Sequence, residues 1–286
     1  MDLINAVVLG LVEGITEFLP ISSTGHLILF NQWFTFRSKE FADAFDIIIQ
    51  MGAILAVVVY FFRRLNPFTS NVPARKKAVS LWLRAIAGIL PVIALTLVFQ
   101  KLTGHKLDTA LEQHLFFPIP VAVALVFWGL VIIVLEWHNG KREKAGILPS
   151  YSVAETLPWG IVIAIGFFQI LSIWPGTSRS AATIIGAMIL GTSRTAAAEF
   201  SFFLAIPTLL GAGAYKLLGV AKSGLHFGTH EFGLLIAGTA VAFGAAWAVI
   251  SLFMRFVQTK SLAPFGVYRI ALGLVVLAYF LLIAVH

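Results

Sequence analysis

The apolar segments of this chain come in two lengths, and those lengths constrain the fold more than any other feature. A helix needs roughly 20 apolar residues to cross a bilayer. Six runs meet that requirement, at about 44–62, 82–100, 116–135, 199–219, 232–254 and 264–285. Four others, at about 3–12, 26–36, 158–173 and 181–192, are too short or are interrupted. With 59% hydrophobic and 12% charged residues, a water-soluble domain of 286 residues could not hide its apolar surface. The chain is therefore read as an all-α polytopic membrane protein. Cysteine is absent, which excludes disulfides and thiolate metal sites. The opening MDLINAVVLG has no basic n-region, so no signal peptide is expected. The net charge of +7 sits in loops and reads as a topology signal, not as a nucleic-acid footprint. No nucleic-acid partner is expected; membrane lipids are.

The short runs pair around two polar turns, EGITEFLPISSTGH (13–26) and WPGTSRSAAT (174–183). Short arm, polar Gly/Pro/Ser tip and second short arm describe a re-entrant helical hairpin. Such irregular backbone is tolerated at membrane depth only where protein or a wet cavity covers it. Pro20 and Ser23 match Pro175 and Ser178 at a spacing of 155 residues, and Phe45/Phe200 and Leu55/Leu210 repeat that spacing more weakly. The expectation is about six transmembrane helices plus two re-entrant hairpins. They form one integral membrane domain, 1–286, with halves of about 1–135 and 158–285 joined by a cytoplasmic linker, 136–157. Hairpin plus three spans crosses an odd number of times, so the second half is inverted and the tips can meet near the midplane. Residues 63–84 hold Arg63, Arg64, Arg75, Lys76, Lys77 and Arg84 and no acid, which places that loop inside. Loops 101–115 and 220–231 then lie outside, 136–157 and 255–263 inside, and the first hairpin enters from the outer face.

Glu13 and Glu17 are spaced i, i+4 and share a helix face, where paired carboxylates can chelate a divalent cation or share a proton. A solvated helix end is the bland alternative, but ionisable residues at membrane depth are functional by default. Ser22, Ser23, Thr24, Gly25 and His26 form a polar turn that opens a helix. Some of these hydroxyls would cap that helix. His26, three residues from Ser23, could accept a proton from a hydroxyl, and the free N–H groups could cradle an anion. In the second turn, Gly176 permits close backbone approach beside Pro175, Thr177, Ser178, Ser180 and Thr183. Arg179 offers a planar fork for phosphate oxygens, or a structural salt bridge to Glu13 or Glu17. Asp46 and Gln50 are weaker candidates for the same cavity. Arg194 and Glu199 read as pairing residues at a span entrance, and Arg269 as a snorkelling residue at a membrane end. His105, His114, His138, His226 and His230 read as solvated.

EGITEFLPISSTGH and PGTSRSAAT resemble the two signature regions of the bacterial undecaprenyl-pyrophosphate phosphatases, also called bacitracin-resistance proteins. The resemblance continues through FDIIIQMGAILAVVVYF (45–61), RTAAAEFSFFLAIP (194–207) and PFGVYR (264–269). It implies a multi-pass enzyme of the bacterial cytoplasmic (inner) membrane whose active site faces the periplasm. Its reaction would convert undecaprenyl pyrophosphate to undecaprenyl phosphate and inorganic phosphate, recycling the cell-wall lipid carrier and conferring bacitracin resistance. It implies a divalent cation, Mg2+ or Ca2+, with Glu13 and Glu17 as the paired acids. It assigns Ser23 and His26 to the first catalytic turn, and Ser178, Arg179 and Thr183 to the second. On this reading Ser23 attacks the terminal phosphorus with His26 as base, and direct attack by an activated water is the nearest competitor. Ser22, Thr24, Gly25, Gly176, Thr177, Ser178, Ser180 and Thr183 would contact phosphate. An ion-coupled secondary transporter or a lipid-carrier flippase on the same inverted repeat is the alternative. Gly or Ala in every span would also allow a homodimer.

Overall fold

The structure is a computed structural model and describes residues 1–105, 107, 115, 117–222 and 227–284. Its regular elements are helices: α1 (Asp2–Thr16), α2 (Ser23–Phe30), α3 (Lys39–Tyr60), the short α4 (Phe62–Leu65), α5 (Val72–Thr103) and α6 (Pro118–Lys144). After the linker come α7 (Trp159–Ile170), α8 (Arg179–Ile189), α9 (Arg194–Lys222), α10 (Thr229–Thr259) and α11 (Ala263–Ala284). The described residues contain no strand, only an isolated bridge between Tyr151 and Thr192. Helices α3, α5, α6, α9, α10 and α11 are long and apolar enough to cross a membrane. They coincide with the six long runs. The four short runs become α1, α2, α7 and α8, of 15, 8, 12 and 11 residues. At 1.5 Å per residue the longest reaches only about 22 Å, short of the roughly 30 Å hydrocarbon core.

The spans run past the ends that hydropathy suggests. Helix α5 begins at Val72 with Asn71 as its cap, well before residue 82. Helix α6 continues to Lys144, nine residues into the segment read as a linker. The added turns are polar, and each is held by something hydropathy does not register. The Asn71 side chain accepts the Ala74 N–H at 3.0 Å. Glu136 and Glu143 of α6 pair with Arg194 at 2.7 and 2.5 Å. Glu136 also accepts the Leu262 N–H at 2.9 Å, which ties the α10–α11 connection to the same point. A second cluster joins Arg64 to Glu155 at 2.6 Å and to Glu199 at 2.7 Å. Arg194 and Glu199 are thus the pairing residues expected of them.

Two of the short helices pack on long ones far away in the chain. Helix α1 lies along α10, and α7 lies along α5. Both contacts bring backbone against backbone. A Cβ at Gly10 would stand 2.6 Å from the Gly238 carbonyl oxygen, and one at Gly166 would collide with the Gly88 carbonyl. Between apolar helices in lipid, such close approach through small residues supplies the packing that a hydrophobic driving force supplies in water. Helix α3 also packs on α10, α9 on α5, and α6 along α11. Below the two turns the core is aromatic: Phe18 meets Phe202 edge-on at 5.4 Å, and Phe61 meets Phe203 at 4.9 Å.

Candidate active site

Each polar turn ends at a serine in an unusual conformation. Ser22 has φ 75° and Ser178 φ 73°, and they are the sole non-glycine residues with positive φ among those described. An L-residue there is strained, and such strain gathers at functional sites. Each serine then caps a helix: Ser22 Oγ accepts the Gly25 N–H and Ser178 Oγ accepts the Ala181 N–H, both at 3.2 Å. These matched caps pair Ser22 with Ser178, a spacing of 156. Gly10 and Gly166, each packed against a glycine backbone of a neighbouring helix, stand at the same spacing. The register of 155 read from Pro20/Pro175 is therefore one residue out at the caps. The second turn has one more residue between proline and cap, and the adjacent serines 22 and 23 disguise it. In the corrected register Ser23 corresponds to Arg179, and Glu13 to Gln169.

Those two post-cap residues converge on one carboxylate. Ser23 Oγ donates to Glu17 Oε2 at 2.5 Å. Arg179 Nη2 donates to Glu17 Oε1 at 3.2 Å. The second guanidinium nitrogen, Nη1, donates to the Ser201 carbonyl at 2.9 Å. Thr183 steadies this arm, with Oγ1 on the Arg179 carbonyl at 2.9 Å and on Ser201 Oγ at 2.7 Å. Glu17 is 5% and Ser23 9% exposed, so the Ser23–Glu17–Arg179 array is withdrawn from bulk water. It lines a cavity of about 120 Å3. Ser22, Thr24, Gly176 and Ser178 line it from the two turns. Gln50 of α3, Ser172 and Leu209 line it from outside them. Gln50 was a weak candidate in the sequence; Ser172 and Leu209 carried no signal. A larger cavity of about 190 Å3 lies at the linker end beside Arg142, Glu143 and Arg194. There Arg194 is committed to Glu136 and Glu143.

Several expected site residues sit elsewhere. His26 does not reach Ser23. Its Nδ1 is 2.7 Å from the Ser22 carbonyl, which can only accept, so Nδ1 carries the proton. Nε2 then accepts from the Tyr268 hydroxyl at 2.6 Å. One turn along α2, the ring faces α11 and lies parallel to the Tyr268 ring, within 3°, with centroids 5.7 Å apart. The Gly25 N–H is spent on the cap and is not free for an anion. Ser180 Oγ donates to the Leu19 carbonyl at 2.9 Å, joining the two turns. Thr177 is fully buried with its hydroxyl unpartnered. Neither it nor Thr183 lines the cavity. Asp46 accepts from Asn31 Nδ2 at 3.1 Å and stays outside the cavity, unlike Gln50. His105, His138 and His230 are exposed, and His114 and His226 fall outside the described residues.

Arg269 overturns its sequence reading. It does not snorkel: it is fully buried, with Nη1 on the Pro20 carbonyl at 3.0 Å and Nη2 on the Gly176 and Thr177 carbonyls at 2.7 and 3.0 Å. Its partners lie up to 249 residues away, so nothing local announces them. The available signal was an arginine inside an apolar run.

Glu13 bears on the cation. The Glu17 N–H donates to the Glu13 carbonyl at 2.9 Å, so the two carboxylates stand one turn apart on one face. Glu13 is fully buried beside Glu17 and Gln50, and among the described residues neither of its side-chain oxygens makes a hydrogen bond. An unpartnered buried carboxylate is costly unless a proton or cation accompanies it. All-oxygen ligands suit a hard divalent ion, so the residues present fit one. Among the described residues no group of three His, Cys, Asp or Glu converges. Two carboxylates would therefore be the acidic contribution to such a site, which suits an ion that keeps waters in its shell.

Fold and site together define a multi-pass membrane protein with a polar cavity where two broken-helix turns meet. Residues 6–275 match the family described as bacitracin resistance protein BacA, and the chain belongs to that family. It is 42% identical over 287 residues to an undecaprenyl-diphosphatase of Limosilactobacillus fermentum, covering 99% of both chains. It is 44% identical over 286 residues to undecaprenyl-diphosphatase 1 of Clostridioides difficile, covering 99% of this chain and 98% of the relative. An undecaprenyl-diphosphatase of Lactococcus lactis subsp. cremoris is 40% identical over 288 residues, covering 98% and 97%.

Proposed function

We propose that this protein hydrolyses undecaprenyl pyrophosphate to undecaprenyl phosphate and inorganic phosphate in the bacterial cytoplasmic membrane, so recycling the cell-wall lipid carrier and conferring bacitracin resistance. Near full-length identity to undecaprenyl-diphosphatases supports the substrate. The observation that carries the chemistry is Ser23 Oγ on Glu17 at 2.5 Å, with Arg179 on the other oxygen of the same carboxylate. A nucleophile, a base and a permanent cation thus share a buried cavity between the two turns.

In the proposed reaction Glu17 takes the Ser23 proton as Oγ attacks the terminal phosphorus. The new Oγ–P bond forms as the bridging P–O bond breaks, and undecaprenyl phosphate leaves. Glu17 passes that proton to the departing undecaprenyl phosphate; it then takes a proton from the water attacking the phosphoserine and returns it to Ser23 Oγ as the Oγ–P bond breaks, releasing inorganic phosphate. Glu17 replaces His26 as base because His26 has both ring nitrogens engaged elsewhere. Arg179 has donors to spare: its Nε has no partner, and its bond to Glu17 is long at 3.2 Å. It can turn part of its fork to the equatorial phosphate oxygens, where charge builds in phosphoryl transfer. Glu13 and Glu17 would hold the Mg2+ or Ca2+, which when bound supplies charge neutralisation at the phosphates. The loop charges favour a periplasmic approach to the site.

The deciding experiment is phosphate release by purified protein in detergent, with authentic lipid and Mg2+. Release is expected; a transporter on the same scaffold would give none. Acid quench with the terminal phosphate labelled should trap phosphoserine at Ser23, and a normal burst without label on the protein would favour direct water attack.

A further inference from the structure

We propose that Tyr268 and Arg269, neighbours on α11, form a positioning clamp that sets the two catalytic turns against one another; this rests on the phosphatase reading above. Arg269 is the one side chain bonded to the backbone of both turns among the described residues, through Pro20 on one side and Gly176 and Thr177 on the other. Tyr268 holds the imidazole of His26, whose other nitrogen holds the Ser22 carbonyl behind the strained cap. Two adjacent residues therefore fix the carbonyls on both sides of the cavity without lining it.

The clamp explains two facts the reaction leaves unused. Arg269 has no carboxylate partner; its buried charge is met by three carbonyl oxygens. A guanidinium presents five donors in a rigid planar fork, which can span two separate segments where an ammonium cannot. The bonded carbonyls belong to the stretches that lead into Ser22 and Ser178, so the fork sets the spacing between Ser23 and Arg179. Gly176 shows how tight that seat is: at φ +90° it has no room for a Cβ, which would stand 2.5 Å from the Val121 carbonyl oxygen. A misplacement of about 1 Å between reacting groups can cost on the order of 100-fold in rate.

R269K keeps the charge and removes the fork. In the monodisperse, folded fraction its kcat should fall about 100-fold, while KM for undecaprenyl pyrophosphate changes less than about threefold, since Arg269 does not line the cavity. Folded R269K with kcat within threefold of the parent would overturn the clamp. Should R269K not fold, Y268F decides: a loss of about tenfold in kcat is expected, and kcat within threefold overturns the proposal. A second readout needs no catalysis. The chain has no cysteine, so an L19C/S180C pair, placed where Ser180 bonds the Leu19 carbonyl, reports turn-to-turn contact by disulfide formation. That cross-link should form readily in the parent and at least tenfold more slowly with R269K, or with Y268F where R269K does not fold; equal rates would sink the clamp. If parental protein releases no phosphate, the phosphatase reading fails, and the cross-link still judges the clamp.

Discussion

The two turns have the same backbone and opposite chemistry. Each closes on a serine at positive φ that caps the following helix with the same 3.2 Å bond. Each presents its next residue to one shared carboxylate: Ser23 from the first turn, Arg179 from the second. Behind the first stand the acids and an imidazole. Behind the second stand hydroxyls already spent, with Thr183 on Ser201 and Ser180 on Leu19. A single strained cap has been used twice as a mount, once for a nucleophile and once for a cation. Even the deeper arms keep the pairing, because Glu13 and Gln169 match in register and are both buried with unpartnered side-chain atoms. The position is polar in both copies, but only the first can bring a negative charge to it.

If the post-cap residues carry the reaction, their loss should dominate every other change. Ser23→Ala should lower kcat at least about 1,000-fold, or about 4 kcal/mol, in a phosphate-release assay. Arg179→Ala should cost about 100- to 1,000-fold by the same assay, as expected for removing a preorganised charge. Glu13 comes next. Glu13→Gln, which makes the first arm resemble the second, should lose about 100-fold at saturating lipid and respond less to added Mg2+, and chelation should silence the parent enzyme. The backbone contacts test the scaffold. Gly166→Val should lower stability by about 1–3 kcal/mol in a thermal scan, because its side chain meets the Gly88 carbonyl and Pro91. Gly160→Ala, in the same helix with open space around it, should be neutral or stabilising by up to about 1 kcal/mol. The smallest effect separates strain from capping. Ser178→Ala should cost about 1 kcal/mol, and Ser178→Gly only a few tenths, since glycine relaxes at that φ.

Hydropathy carried the spans and the short arms, because length and polarity are local properties. It truncated α5 and α6, whose outer turns are polar and are held by Asn71 and by the Arg194–carboxylate cluster. Helix spacing places Glu13 and Glu17 on one face, and a salt bridge to one of them is a role the sequence offers Arg179. What escaped were long-range assignments. Ser23 sits three residues from His26 yet bonds Glu17, six residues back, because the strained cap turns it around. The purpose of Arg269 depends on two segments, 93 and 249 residues away, meeting at its side chain. Serine and proline identities point to a register one residue away from that of the caps and of Gly10 and Gly166.

The arginine–carboxylate clusters at the linker end give the site a direction. Arg64 lies over the rings of Phe61 and Phe203 at 5.6 and 5.2 Å while it grips Glu155 and Glu199. Two residues past Glu199 along α9 is Ser201, whose carbonyl holds Arg179. That ion-paired, aromatic layer is therefore joined through α9 to the cation that would grip the substrate. A shift of α9 at the linker end would carry the Ser201 carbonyl, and the guanidinium resting on it, along with it.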